Sequence, residues 1–178
     1  MLNRDGQLGP MQGKQSRGIL AIEMLSTRHL QEALELLTPT KLGTFRAFNA
    51  VIADPTHAYW LRWNGDEFGV FPIEAGLHML ASGDLNEDRH GRVAYHLPLW
   101  RVANAPDMQS WGDWPKLLAS RAHAPEDTNL GAMCIQTDFD YGTVSSSLIA
   151  WDQQERIRWH FAPGAPDTTP YTEVSVEQ

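Results

Sequence analysis

Cysteine is the scarcest residue type in this chain, with Cys134 the only one in 178 residues. A single thiol excludes an internal disulfide and fits a reducing compartment, so a cytoplasmic location is expected. Long apolar runs are missing as well. Nothing approaches the ~20 residues a membrane-spanning helix needs. The opening stretch Met1 to Pro10 places charge and turn residues where a signal peptide would carry its apolar run. Positive charge is in short supply: 14 Lys and Arg stand against 22 Asp and Glu, for a formal net charge of -8. No segment collects enough of them to hold a nucleic acid by its phosphates. Also lacking are a Gly-x-Ser-x-Gly elbow, a phosphate loop, a dinucleotide fingerprint, an internal repeat and a low-complexity tract. His78, His90, His96, His123 and His160 fall at spacings that match no common ligand set, so neither a metal nor a cofactor is expected. His90 and His96 are read as helix-surface residues.

What is present is the composition of a globular domain, 42% hydrophobic and 20% charged, with seven tryptophans that promise aromatic walls to a core or cleft. The strongest strand signal lies between Ala132 and Pro163, where three runs rich in β-branched and aromatic residues are separated by turn chemistry at 138–142 and 152–155. The last two runs should form an antiparallel hairpin. In the second, Thr143, Ser145, Ser147, Ile149 and Trp151 share one face, a row of small hydroxyls that suggests close approach by another layer or a ligand.

Upstream, the Gly-rich stretch 5–18 reads as a long loop. Leu30, Ala33, Leu34 and Leu37 predict a helix with Ser26 or Thr27 as N-cap and Pro39 as its stop. Strands are expected over 45–53, 58–63, 68–73 and 77–81, with an Asn64-Gly65 hairpin turn between the second and third. A helix over about 89–103 should be kinked or split by Pro98. A shorter one should start at Pro115, capped by Asp113. Residues 164–178 read as an extended or poorly ordered tail after a single domain spanning 1–163. Strands and helices that segregate in this way indicate α+β with mostly antiparallel sheets.

Few residues invite a catalytic reading. Asp138 and Asp140 flank Phe139 and are most simply turn residues. Cys134 sits between Met133 and Ile135, where a thiol is by default a buried small hydrophobe. Asn3 and Arg4 with Asp5, and Asp84 with Asn86, are better candidates: amides after strand ends can donate to an oxyanion, and arginine can grip a carboxylate with two parallel bonds.

Several stretches together resemble the NRDE family, also called the Transport and Golgi organisation family, whose members look like relatives of N-terminal-nucleophile hydrolases. They are Leu2-Asn3-Arg4, Gly6-Gln7-Leu8-Gly9-Pro10 and Ser16-Arg17-Gly18; Phe48-Asn49 with Ala53-Asp54; Gly76-Leu77-His78-Met79-Leu80 leading to Asp84-Leu85-Asn86; Tyr141 through Ser147; and Phe161-Ala162-Pro163-Gly164 with Pro166-Asp167 and Thr169-Pro170-Tyr171. They run in family order over essentially the whole chain. The departure is at the start. Family members carry a cysteine directly after the initiator Met and then Asn-Arg-Asp-Glu, whereas here residue 2 is Leu2 and Asn3-Arg4-Asp5-Gly6 stands in the context of a later family loop. The chain looks like the family domain without its N-terminal third.

The resemblance implies a four-layer αββα sandwich, incomplete at the N-terminus. It implies a scaffold for hydrolysing an amide bond in which a free α-amino group activates the adjacent nucleophile, a group Met1-Leu2 cannot supply. Asn3 would be the oxyanion-donating asparagine, Asn86 a second polar site residue, and Tyr141, Thr143, Ser145 and Ser147 the substrate-lining wall. Family members tied to Golgi organisation, lipid metabolism and haem handling imply an alternative, a non-catalytic module for an apolar ligand such as haem or acyl-CoA. Trp60, Trp63, Trp100, Trp111 and Trp114 would then line the cleft, and His78 would be the first haem-ligand candidate. Strands missing upstream would leave a sheet edge and a core face bare, so a marginally stable or aggregating chain is expected.

Overall fold

The alternation of strands with short helices produces two compact units, Met1–Glu87 and Asp88–Gln178. The computed structural model describes residues 1–4, 11–89, 91–107, 109–152, 154 and 156–176. Within these the architecture is α+β with two antiparallel sheets. Asp5 to Pro10, His90 and Glu155, which belong to the loop, helix and turn expectations above, lie outside the described residues.

In the first unit, the stretch read as a loop runs into a helix at its last two residues, Arg17 and Gly18. Ser16 caps α1 (Arg17–Leu25) by accepting the Gly18 N–H at 3.3 Å, and Leu20 and Met24, four residues apart, are buried. Gly13 ahead of it and Gly18 in its first turn hid this short amphipathic run. The expected helix is α2 (Leu30–Glu35), but neither proposed cap starts it: Ser26 closes α1, and His29 is the N-cap of α2, without a side-chain bond. Glu32 instead reaches back to the Arg28 N–H at 3.1 Å. Pro39, expected as a stop, also opens α3 (Pro39–Leu42), where its missing N–H costs nothing and Thr38 caps the Lys41 N–H.

Strands β2 (Phe48–Ala53), β3 (Ala58–Trp63) and β4 (Phe68–Pro72) form a meander. Asp54 Oδ1 accepts the Thr56 and His57 N–H groups at the first turn, and Asn64 Oδ1 accepts those of Asp66 and Glu67 at the second, where Gly65 takes a φ of 105°. The fourth strand of the sheet is β1 (Leu2–Asn3), paired antiparallel to β2. Residues 77–81 are not a strand. Their segment lies against the sheet, and the Ala81 carbonyl accepts from the side chain of Asn49 at 3.1 Å rather than from a neighbouring strand.

Register sorts the sheet into two faces. Phe48, Ala50, Leu61 and Trp63 pair across β2 and β3 and pack with Leu20, Met24, Ala33, Leu37, Leu42 and Phe45 into one core. Asn49, Val51, Trp60 and Arg62 occupy the other face.

In the second unit, α4 (Gly91–Val102) continues through Pro98 as one helix. The burial of Val93, Leu97 and Trp100 offsets the backbone bond that proline forfeits. The same stripe buries His96, which is therefore a core residue and not a surface one. Helix α5 (Trp114–Leu118) starts after Asp113, whose carboxylate is taken by the Asn104 backbone and side-chain amides, each at 2.8 Å, and makes no cap bond. A single 3-10 turn spans Asn129–Gly131.

The expected hairpin is β5 (Ser146–Trp151) with β6 (Ile157–Ala162). The run from Ala132 to Thr137 is not a third strand. It contributes one bridge, Gln136 to Gly142, because the 135–143 segment folds back on itself: Ile135 N–H donates to Thr143 Oγ1 at 2.8 Å and Thr143 N–H to Ile135 O at 2.9 Å. The third strand is β7 (Thr172–Val174), in the segment read as a tail. It pairs with β6, and the Tyr171 hydroxyl donates to Ser146 Oγ at 2.6 Å.

Candidate functional site

Asn3 lies on the helix-facing side of β1, in register with Phe48. Its amide makes no side-chain hydrogen bond among the described residues. Beside it opens a cleft of about 660 Å³, walled by Gln15, Ser16, Arg17, Gly18 and Ala21 at the start of α1, together with Lys14 and Arg46. The cations are held in place by the backbone. Lys14 Nζ donates to Gly43 O at 2.6 Å, and Arg17 Nη1 donates to Ala47 O at 2.7 Å. Burial depresses the Arg17 pKa, and the neighbouring Arg46 charge adds to the effect.

Arg4, one residue on, points to the opposite face and joins a polar knot centred on Asn49, which is fully buried. Arg4 Nη1 donates to Asn49 Oδ1 at 2.8 Å, and Trp60 Nε1 donates to the same oxygen at 3.1 Å. Asn49 Nδ2 donates to Ala81 O and Gly83 O, so every valence of the amide is used. Arg4 Nη2 also meets Asp84 Oδ1 at 2.7 Å, and Arg62 Nη1 meets Asp84 Oδ2 at 3.2 Å. The Arg62 guanidinium lies over the Phe71 ring at 5.0 Å and the Trp60 ring at 5.7 Å. Arg4 does grip a carboxylate, but it is the protein's own.

Asn86 takes a left-handed φ of 58°, alone in this among the described non-glycine residues. Its Oδ1 accepts the Met79 N–H at 2.8 Å, which orients the amide so that Nδ2 donates to His78 Nδ1, also at 2.8 Å. The His78 proton is thereby assigned to Nε2, which donates to Glu74 O at 2.9 Å. Both ends of the Asn86 amide and both ring nitrogens of His78 brace the loop. Asn86 is not among the residues walling the Asn3 cleft.

The second unit carries the remaining candidates. Tyr141 and Thr143 line a groove of about 650 Å³ with Arg121, Gln136, Asp138 and Thr168. Ser145 and Ser147 do not line it. Ser145 is exposed, and Ser147 Oγ accepts the Trp159 indole N–H at 3.3 Å. A smaller neighbouring pocket of about 290 Å³ reaches Cys134 through Arg121 and Ala132. The thiol is buried, and Sγ donates to Asp167 Oδ1 at 3.2 Å while Arg121 pairs with the other carboxylate oxygen. Burial, then the Asp167 bond, push the Cys134 thiol pKa up, which favours the thiol over the nucleophilic thiolate. Burial opposes ionisation of Asp167, yet the bonds from Cys134 and Arg121 outweigh it and hold the carboxyl below its ordinary value.

The tryptophans are divided between the units. Trp60 and Trp63 are buried in the first, and Trp63 Nε1 donates to Phe45 O at 3.3 Å. In the second, Trp100 meets Trp114 edge-on at 5.0 Å, and Arg158 stacks on Trp111 at 4.1 Å. None of the three clefts described is walled by tryptophan. No group of three or more His, Cys, Asp or Glu among the described residues could hold a metal ion. No helix among them is long and apolar enough to cross a membrane.

Sequence reasoning singled out Asn3, Arg4 and Asp84 but passed over Asn49 as a site residue. Its signal was available, an amide in the middle of the otherwise apolar run Phe48 to Ala53. The Lys14, Arg17 and Arg46 cluster left no comparable trace, because its members are separated by up to 32 residues and meet only in the fold. No family model matches the sequence, and no curated protein or solved structure is significantly similar to it.

Proposed function

We propose that the chain forms part of an amide-hydrolase scaffold of the N-terminal-nucleophile type, an αββα sandwich of the NRDE family, in which the nucleophile comes from outside the residues present here. The observation that carries this reading is Asn3, a strand-end amide without a side-chain partner among the described residues, on the wall of a ligand-sized cleft. An oxyanion donor needs that combination: a fixed backbone, an open N–H and room for the reacting carbonyl. The α+β architecture with two antiparallel sheets agrees with it. Cys134 cannot substitute for the nucleophile, being buried, protonated and bonded to Asp167.

The test is expression of the longest reading frame that contains this chain and places a cysteine directly after an initiator Met. It should hydrolyse members of a broad amide panel in a thiol-dependent manner, and Asn3→Ala should lower kcat on the order of 100-fold, as loss of one oxyanion donor does. A frame with that cysteine that is inert to the panel and unlabelled by thiol-directed probes sinks the proposal.

A further inference from the structure

Among the described residues, the cleft beside β1 is lined by cations and by no carboxylate, in a chain that is acidic as a whole. The chain has eight more carboxylates than Lys and Arg together, yet no Asp or Glu is among the described residues that wall it. Lys14 and Arg17 are fixed by carbonyl oxygens, which hold the side chains in position without cancelling their charge. Neither forms an ion pair with a described residue. Lys41, by contrast, is neutralised by Glu23. Apart from its bond to Ala47 O, the Arg17 guanidinium makes no hydrogen bond with a described residue. Burial, and after it the proximity of Arg46, depresses the Arg17 pKa.

Helix α1 adds to this field. It has nine residues and no acidic side chain in its first turn, and its N-terminus at Ser16, Arg17 and Gly18 forms part of the wall. Lys14 and Arg17 thus bring two positive charges to one cleft, where a bound anion would be favoured. The volume, about 660 Å³, is that of a site for a small molecule.

We infer that this cleft binds a small ligand through an oxyanion group, a carboxylate or phosphate, gripped by Arg17 and Lys14 with Arg46 alongside. The forked guanidinium suits two oxygens of one group, and Lys14 supplies a point charge. If the cleft is also that of the hydrolase proposed above, its amide substrate carries such a group, and only this clause rests on that reading.

The test uses the full chain, labelled with 15N and titrated with inorganic phosphate and, separately, with succinate, at ionic strength held constant with KCl. Either anion should produce saturable shifts confined to residues 14–19 and Arg46, and the tighter of the two identifies the group carried by the natural ligand. Arg17→Gln should weaken binding about tenfold and Lys14→Gln severalfold, while Lys41→Gln leaves it unchanged. If Arg17→Gln fails to fold, Lys14→Gln, whose side chain is exposed, decides alone. The inference is overturned if KCl reproduces the shifts, if they scatter over the surface, or if Lys14→Gln binds as tightly as the parent. Because no nucleophile is involved, failure here leaves the amide-hydrolysis test standing, and the reverse holds.

Discussion

Asn49 carries more than its size suggests. Its amide satisfies Arg4, Trp60 and the carbonyls of Ala81 and Gly83 in a place water does not reach. Asp84, which bonds two arginines, has a side chain 40% exposed, so solvent can replace much of what it offers. The two effects can be ranked. Asn49→Ala strands several buried groups and should cost about 3 kcal/mol, whereas Asp84→Asn should cost about 1 kcal/mol or less. Urea unfolding of the two variants measures this, and equal costs would mean that the arginines, not the amide, organise the knot. At this scale the sequence was partly legible. Asn3, Arg4 and Asp84 were identifiable as polar residues near strand ends. The direction of each side chain was not, since neighbours on a strand point to opposite faces: Asn3 turns to the cleft and Arg4 to the knot.

Among the elements, α4 shows how a helix hides a titratable group. His96 lies on the stripe formed with Val93, Leu97 and Trp100, and its ring meets Gly131 O at 3.1 Å. Burial depresses its pKa, and the nearby Arg92 and His123 charges act in the same direction. The folded state therefore stays neutral at pH values where the unfolded chain, with its ordinary pKa of about 6.5, takes up a proton. Folding stability should fall as pH drops below about 6.5 and flatten once the folded form also protonates. Urea midpoints measured between pH 5 and pH 8 should show this slope in the parent protein and lose it in His96→Gln. An identical slope in the variant would assign the acid sensitivity to other groups. The hairpins of both units were legible from alternation and turn residues. Helix α1 and strand β7 were not: α1 is short with Gly18 in its first turn, and β7 is three residues long and becomes a strand only because β6 offers it an edge.

For the whole molecule, the row of hydroxyls on β5 proves to be part of an apolar surface. Ile149 and Trp151 remain 64% and 44% exposed on the face they share with Ser147. Such a surface promotes self-association. Light scattering should detect oligomers of the parent chain that Ile149→Lys reduces, while a monomer melting cooperatively at all concentrations would contradict this. The sequence by itself determined the class, α+β with antiparallel hairpins, because alternation, helical spacing and Asn and Asp turns are local properties of the chain. It also determined that no internal disulfide can form. Tertiary structure alone decided which residues meet. It moved 77–81 off the sheet edge, drew 172–174 onto the other sheet, buried His96 and gathered Lys14, Arg17 and Arg46 around one cleft. Those outcomes depend on competition among distant groups for the same hydrogen bonds, edges and apolar faces, and no local pattern records who wins it.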